Sequence, residues 1–423
     1  MGLFDKLPES KLQVVLHRGI LNGSAGYLAT GLRGGASDTP ANPTLGESYY
    51  AVKNGAQPAS DFRALICGFY VDVASAGETA IPNDVKVRVA LEQLTPIAVP
   101  RASFLGAVDF TLPAGVGHII SEPIGISAAA HEVLISQMSM EVSSGQFWPA
   151  SQLASTINGI LALQFASVKT GSESQVGSFS WNGTGRTSGA SPAVTAWLAK
   201  PKYNYPSVAI TADSIGDGSG ETSGDGFGNY GWICRGLYNV GNDNRAIPYI
   251  RISRPGDSFN TYTNASGNKG TRRLALLEYV SYLVSQMGTN DIANGTSFDN
   301  VKSRMQFMWQ QGKNRGLKVY QCLIMPRSSS SDGWTTVNGQ TANVAGFTVG
   351  GVRDQINDWI PTQVGQGLLD GYIDPNPYVE SAPGSNKWLA NMTGDGVHPL
   401  PAGHLAASTA SRAFANALPN ILI

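Results

Sequence analysis

Four short segments of the 423-residue chain carry the side-chain types that nucleophilic and acid–base chemistry needs. A hydroxyl stands in Ala212-Asp213-Ser214, where an apolar run from Val208 stops and Gly216, Gly218 and Gly220 follow. A glycine turn, Arg254-Pro255-Gly256-Asp257-Ser258, comes next. A side-chain amide lies in Gly288-Thr289-Asn290-Asp291, and a carboxylate and an imidazole share Asp395-Gly396-Val397-His398-Pro399. Each segment alone reads as ordinary turn chemistry, since serine before a glycine-rich loop is common. Their force comes from order and from the elements that must position them.

From about residue 201 the pattern alternates strand and helix. Strands are expected at 207–211, 249–252, 280–287, 317–325 and 371–373. Helices are expected at 271–279, 301–311, 353–364 and 403–418. Val301, Met305 and Met308 fall on one face of the second. In the last, Ala406, Ala410, Phe414 and Leu418 form one apolar row, and Leu405, Ala413 and Ala417 extend the next. Such alternation implies a parallel sheet covered on both sides, and five strands suit a flavodoxin-like doubly wound α/β fold. Three of the four segments follow strands, so their loops share the carboxyl edge of the sheet, where open α/β sheets bind ligands.

With that order and context, residues 205–418 resemble the SGNH (GDSL) hydrolases. The resemblance implies a three-layer α/β/α domain in which Ser214 is the nucleophile and Asp395 and His398 complete the triad. Gly256 and Asn290, with the Ser214 amide, then form the oxyanion hole. The residue types suit these roles. A serine hydroxyl is a poor nucleophile until a base takes its proton, and histidine titrates near neutral pH. Asp395, three residues before His398, can hold the imidazole tautomer. Asn290 offers an amide, and Gly256 can bring its backbone N–H close. The family usually has Gly-Asp-Ser in its first segment, and here Ala212 takes the first position. Asp213, Asp217 and Asp291 are read as loop-shaping residues, and His404 as a surface or capping residue.

The first 200 residues read as β. Val85, Val87, Val89 and Leu91 alternate with Lys86, Arg88 and Glu92, as in a strand with one wet face. Further strands are expected at 64–73 and 134–142, with Leu134, Met138, Met140 and Val142 on one side. An antiparallel sandwich or jelly-roll-like domain over 1–200, before a hydrolase domain over 201–423, is the expected organisation. A Gly/Ser/Thr-rich stretch from Gly171 to Pro201 marks the junction. His17, His118 and His131 lack metal-ligand spacing, so structural or surface roles are expected for them. The β region is left with carbohydrate binding, assembly or shielding as candidate roles.

Composition narrows the function classes. The net charge is -1 and only 14% of residues are charged, so nothing favours nucleic acid or anionic membranes. Cys67, Cys234 and Cys322 are far apart and expected to be buried apolar residues, and no metal or cofactor is called for. The N-terminus lacks a signal-peptide pattern, and no stretch approaches a membrane span. A virion-associated or other extracellular setting fits the Gly/Ser/Thr-rich composition, as does an intracellular one, and a homo-oligomer is compatible with the chain. The expected substrate is an acylated carbohydrate or small ester, foremost an O-acetyl glycan. A general short-chain carboxylesterase or thioesterase is the alternative within enzymes, and a glycan-binding or structural protein with a degenerate hydrolase domain is the alternative outside them. Phe227, Tyr230 and Trp232 are read chiefly as packing residues. The polar stretch Ser328–Gly351 is expected to rim the pocket, with Trp334 a candidate for stacking on a sugar.

Overall fold

In the computed structural model the described residues are 13–14, 16–17, 31–33, 44–71, 77–94, 97–152, 165–169, 174, 176–177, 190–202, 205–222, 231–238, 246–263 and 270–419. The N-terminal part is built of antiparallel sheets. One has the order Phe110–Leu112, Val85–Leu94, Val133–Glu141, Leu45–Asn54, Phe165–Lys169. Another centres on Ala59–Cys67, flanked by Ala196–Pro201 and by His118–Ile120. Val85, Val87, Val89, Leu91, Leu134 and Met138 of the first sheet meet Phe62, Ala64, Ile66 and Trp197 of the second in one buried core. The period-two pattern of residues 85–91 thus faces the sandwich interior, as its spacing requires.

The opposite face of the 85–94 strand is only partly wet. Lys86 and Arg88 are half-buried, but Glu92 is buried and accepts hydrogen bonds from Tyr49 Oη (2.8 Å) and Gln137 Nε2 (2.9 Å). Alternation of polar with apolar residues does not distinguish a solvated face from a satisfied buried polar network.

The chain passes from the antiparallel sheet at Ala196–Pro201 to a parallel one at Val208–Ala212. The parallel sheet runs Tyr249–Arg251, Val208–Ala212, Tyr282–Gln286, Lys318–Cys322, Gly371–Ile373. In chain order that is 2-1-3-4-5, the doubly wound arrangement whose strand order reverses beside the first strand. Helices Trp232–Tyr238 and Pro401–Ala417 cover one face, through Trp232, Ile233, Leu237, Ala407 and Phe414. Phe298–Lys313 and Val352–Thr362 cover the other, through Val301, Met305, Met308, Ile356 and Ile360. This second core also takes in Leu65, Cys67, Ala196 and Leu198 of the sandwich. The sheet containing Ala59–Cys67 therefore buries both faces, one against its partner sheet and one against the α/β half.

The last helix buries Ala410, Phe414 and Leu418 of its expected row but is rotated away from the adjacent row expected beside it. Leu405 is 55% exposed, and Ala413 and Ala417 are exposed, whereas Gly403, His404, Ala407, Ser408, Ser411 and Ala415 are buried. The reason is close packing on Trp232–Tyr238. Ser411 Oγ donates to the Trp232 carbonyl (2.7 Å), and a Cβ on Gly236 would lie 1.9 Å from that Oγ. Small and hydroxylated residues let two helices approach in a way that an apolar tally does not register. Cys67, Cys234 and Cys322 are buried and form no disulfide with one another. Among the described residues, no helix is long and apolar enough to cross a membrane.

Candidate active site

Ser214 opens a single helical turn, Ser214–Asp217, directly after the Val208–Ala212 strand. Asp213 caps that turn, its Oδ1 accepting the Ile215 N–H at 2.9 Å. Burial pushes the Asp213 carboxyl up to about 7, against the opposing hydrogen bonds from Ile215 and Gln286. Asp217 fastens the turn to the neighbouring strand end: Ser253 Oγ donates to its Oδ1 (3.0 Å), and Arg251 Nη1 to its carbonyl (2.8 Å).

The methyl of Ala212 has an accommodation. A Cβ on Gly216 would lie 2.4 Å from Ala212 Cβ and 2.6 Å from Gln286 Oε1. The side chain that the first position adds is matched by its absence four residues on.

His398 reaches Ser214 from the segment preceding the last helix. Ser214 Oγ and His398 Nε2 are 2.8 Å apart, and His398 Nδ1 lies 2.6 Å from Asp395 Oδ2. The two carboxylate oxygens of Asp395 divide the work. Oδ2 meets the ring, while Oδ1 accepts the backbone N–H groups of Val397 and His398, both at 2.8 Å. Against a desolvation that would raise it, these bonds and the adjacent imidazole hold the Asp395 carboxyl below its ordinary value. The His398 side chain is 30% exposed and that of Asp395 54%, so the pair sits at an accessible rim.

Residues that sequence reasoning passed over shape this loop. Thr393 Oγ1 donates to the His398 carbonyl (2.8 Å) and accepts the Gly396 N–H (3.0 Å). Trp388 Nε1 donates to the Gly396 carbonyl at 3.0 Å. Gly396 has φ +78°, and a Cβ there would lie 2.0 Å from the Ser328 carbonyl oxygen, so only glycine fits. A threonine two residues before the Asp-x-x-His pattern is the one sequence signal for this support.

Gly256 and Asn290 lie on the same edge, after the strands on either side of Val208–Ala212. Gly256 is exposed in a turn with φ +78°, and a Cβ there would meet only Arg254 Nη2, at 3.7 Å. The glycine thus serves backbone conformation rather than close protein packing. Asn290 Nδ2 donates to the Asp257 carbonyl at 2.8 Å, so its amide side chain points to the Gly256 turn with one of two protons engaged. Asp291 joins the same two segments, accepting the N–H groups of Phe259 (2.8 Å) and Asn260 (3.2 Å) and pairing with Arg304 (2.9 Å). These contacts match the loop-fixing role expected of it.

One expectation changes and another is extended. His404 is fully buried, with Nε2 at 3.0 Å from the Ser219 carbonyl, and desolvation lowers it to about 4. It is an interior prop of the loop that follows Ser214, not a surface residue. Trp334 is half-buried against Gly396, its indole N–H donating to Ser328 Oγ at 3.1 Å. It backs the Asp395–His398 segment, so support of that loop is added to the sugar stacking expected of it. The stretch around it is ordered by Asp332, which accepts hydrogen bonds from Ser330 and Thr336 and is lowered to about 2 by them. Trp232 is core, as read, while Phe227 and Tyr230 lie outside the described residues.

Residues 213–406 match the model of the GDSL-like Lipase/Acylhydrolase family. Among solved structures, the chain is similar to the acetylxylan esterase Axe2 from Geobacillus stearothermophilus, at 14% identity over 52% of this chain and 99% of that one, with a TM-score of 0.37. It is also similar to a GDSL-like lipase from Bacteroides thetaiotaomicron, at 16% identity over 50% of this chain and 88% of that one, with a TM-score of 0.34. No curated protein matches the chain.

Proposed function

We propose that the α/β half of this chain, whose residues 213–406 match the GDSL-like Lipase/Acylhydrolase model, is a serine esterase removing short acyl groups, foremost O-acetyl, from a carbohydrate. The observation that carries this reading is the chain of contacts from Ser214 Oγ through the His398 ring to Asp395. Nε2 of neutral His398 takes the hydroxyl proton as Ser214 attacks the ester carbonyl, and Asp395 holds the Nδ1 proton and steadies the imidazolium that forms. The tetrahedral oxygen is met by the backbone N–H groups of Ser214 and Gly256 and by the Asn290 amide. Collapse releases the sugar hydroxyl with the proton from His398, and water then repeats the sequence on the acyl-enzyme.

A polar leaving group suits the rim. Ser329, Ser331, Thr335, Thr336, Asn338, Thr341 and Asn343 are exposed there, uncharged and able to hydrogen-bond hydroxyls. Within this reading residues 1–200 and 201–423 form two domains, neither with a role in nucleic-acid or membrane binding.

The test is hydrolysis of p-nitrophenyl acetate and longer acyl homologues by the wild type and by Ser214→Ala, followed by acetate release from acetylated polysaccharide. Short-chain turnover lost in the variant, with release from the glycan, supports the reading. Equal rates in both proteins on every substrate overturn it. Turnover of aryl esters without release from any glycan leaves the general carboxylesterase in its place.

A further inference from the structure

We propose that Glu78, in a two-stranded sheet of the N-terminal part, is a positioning residue for the oxyanion-binding turn of the α/β half, acting through Arg273 and Asp257. Glu78 lies in the short strand Glu78–Ala80, paired with Phe69–Val71. Its carboxylate accepts three hydrogen bonds from across the molecule: Arg272 N (2.6 Å), Arg273 N (3.1 Å) and Arg273 Nε (2.9 Å). The guanidinium so held gives Nη1 to Asp257 Oδ2. Tyr262 completes the arrangement, its hydroxyl 3.3 Å from the same Oδ2 and its ring centroid 4.5 Å from the guanidinium carbon. Asp257 is the residue after Gly256, and its carbonyl is the acceptor for Asn290 Nδ2. One side chain from the N-terminal part is therefore linked by continuous contacts to two of the three groups assigned to the oxyanion hole, Gly256 and Asn290.

The energetics favour positioning over mere cohesion. The side chains of Glu78, Arg273 and Asp257 are all 0% exposed. Arg273 lies between two anions away from the surface, and the buried Arg254 guanidinium flanks the other Asp257 oxygen at 3.9 Å. Desolvation offsets most of the Coulombic gain of such a triad, and a well-packed apolar replacement is often as stable or more so. What ion pairs with fixed forks add is geometry. Oxyanion donors need geometry within about 0.5 Å of the productive arrangement. Among the described residues the turn is also held by Arg254, whose N–H donates to the Ala212 carbonyl (3.2 Å) and whose Nε lies 3.9 Å from Asp257 Oδ1, and by Asp291 and Asn290 of the neighbouring loop. Arg273 adds an anchor to a second body.

The inference rests on the serine-esterase reading for its kinetic arm, so the experiment has two arms. In the first, Glu78→Gln is compared with the wild type on p-nitrophenyl acetate. A kcat lowered by about tenfold with KM nearly unchanged is expected, and the affinity for a boronic acid, whose tetrahedral adduct occupies the oxyanion hole, falls by the same factor. Glu380→Gln is the matched control, because it breaks another buried pair, with Arg353 (2.8 and 3.0 Å), at the far side of the sheet. Unchanged kcat in Glu78→Gln, or an equal loss in Glu380→Gln, overturns the proposal. In the second arm, hydrogen exchange at residues 254–260 reads the turn without turnover. Faster exchange in Glu78→Gln supports the proposal and unchanged exchange overturns it, even where Ser214 proves to give no hydrolysis. If Glu78→Gln does not fold, Tyr262→Phe removes only the hydroxyl on Asp257. The same signature at a few-fold size is then expected, and wild-type kcat and exchange overturn the proposal.

Discussion

The sandwich and the parallel sheet both bury polar side chains, but they dispose of them differently. In the sandwich, Glu92, Tyr49 and Gln137 bond to one another, and Ser136 accepts the indole N–H of Trp197. The Gly177 N–H joins them from a turn, donating to Gln137 Oε1 (2.8 Å), so the contacts described stay within the N-terminal part. Along the carboxyl edge of the parallel sheet the buried groups lead outward. Asp213 holds the turn of Ser214, Asp291 holds the Gly256 segment, and Ser328 holds the indole packed behind the Asp395–His398 loop. Polar groups that end inside a sheet contribute uniqueness of fold, whereas those that end at a half-exposed hydroxyl and imidazole can contribute chemistry.

That contrast can be broken by experiment. Asp395→Asn leaves the packing in place but presents the wrong hydrogen-bonding group to Nδ1. A fall in kcat of about 10⁴-fold is expected, with the melting temperature kept. A fall under tenfold would remove Asp395 from the chemistry. Asn290→Ala is expected to lower kcat by about 10²–10³-fold with KM little changed, read from steady-state kinetics. On the sandwich side the signature inverts. Ile66→Val, in the inter-sheet core, is expected to reduce unfolding free energy by about 0.5–1.5 kcal/mol in urea melts while kcat is unchanged.

The smallest effects test the supports. His404 is held neutral by burial, with its folded value near 4 against about 6.5 unfolded. The unfolded chain binds the extra proton first, so stability is intact above about pH 6.5 and declines as pH falls toward 4. In His404→Gln that part of the acid decline should flatten in melts between pH 7 and 4, and an unchanged slope would assign the decline to other groups. Gly216→Ala should destabilise the nucleophile turn, and the double variant Ala212→Gly, Gly216→Ala should recover part of the loss, since it moves the methyl rather than adding one.

Much of this was legible in the sequence because the relevant residues sit where backbone patterns change. The apolar run that stops at Ser214 and the Asp-x-x-His before a helix mark ends of elements, and the 2-1-3-4-5 order brings those ends together. What was not legible depends on partners far away in sequence. The burial of His404 follows from the approach of Ser219, 185 residues away. The Arg273–Glu78 contact spans 195 residues. The setting of the last helix follows from Gly236 facing Ser411, a match of two small surfaces that carries no hydropathy signal. Trp334 looked available because its sequence neighbours are polar. Its actual neighbour is Gly396.

The spacing within the proposed triad separates its parts unevenly. Asp395 and His398 are joined by a seven-residue loop, Thr393–Pro399, bridged at its ends, while the contact to Ser214 spans 184 residues. In the proposed triad the acid–base pair is a local device and the nucleophile a distant one, so it has a single long-range joint. A change that tilts the last helix or slackens the Ser219 loop would open that joint alone. The inactive enzyme would keep its imidazole–carboxylate pair assembled, a loaded spring with nothing to release it onto.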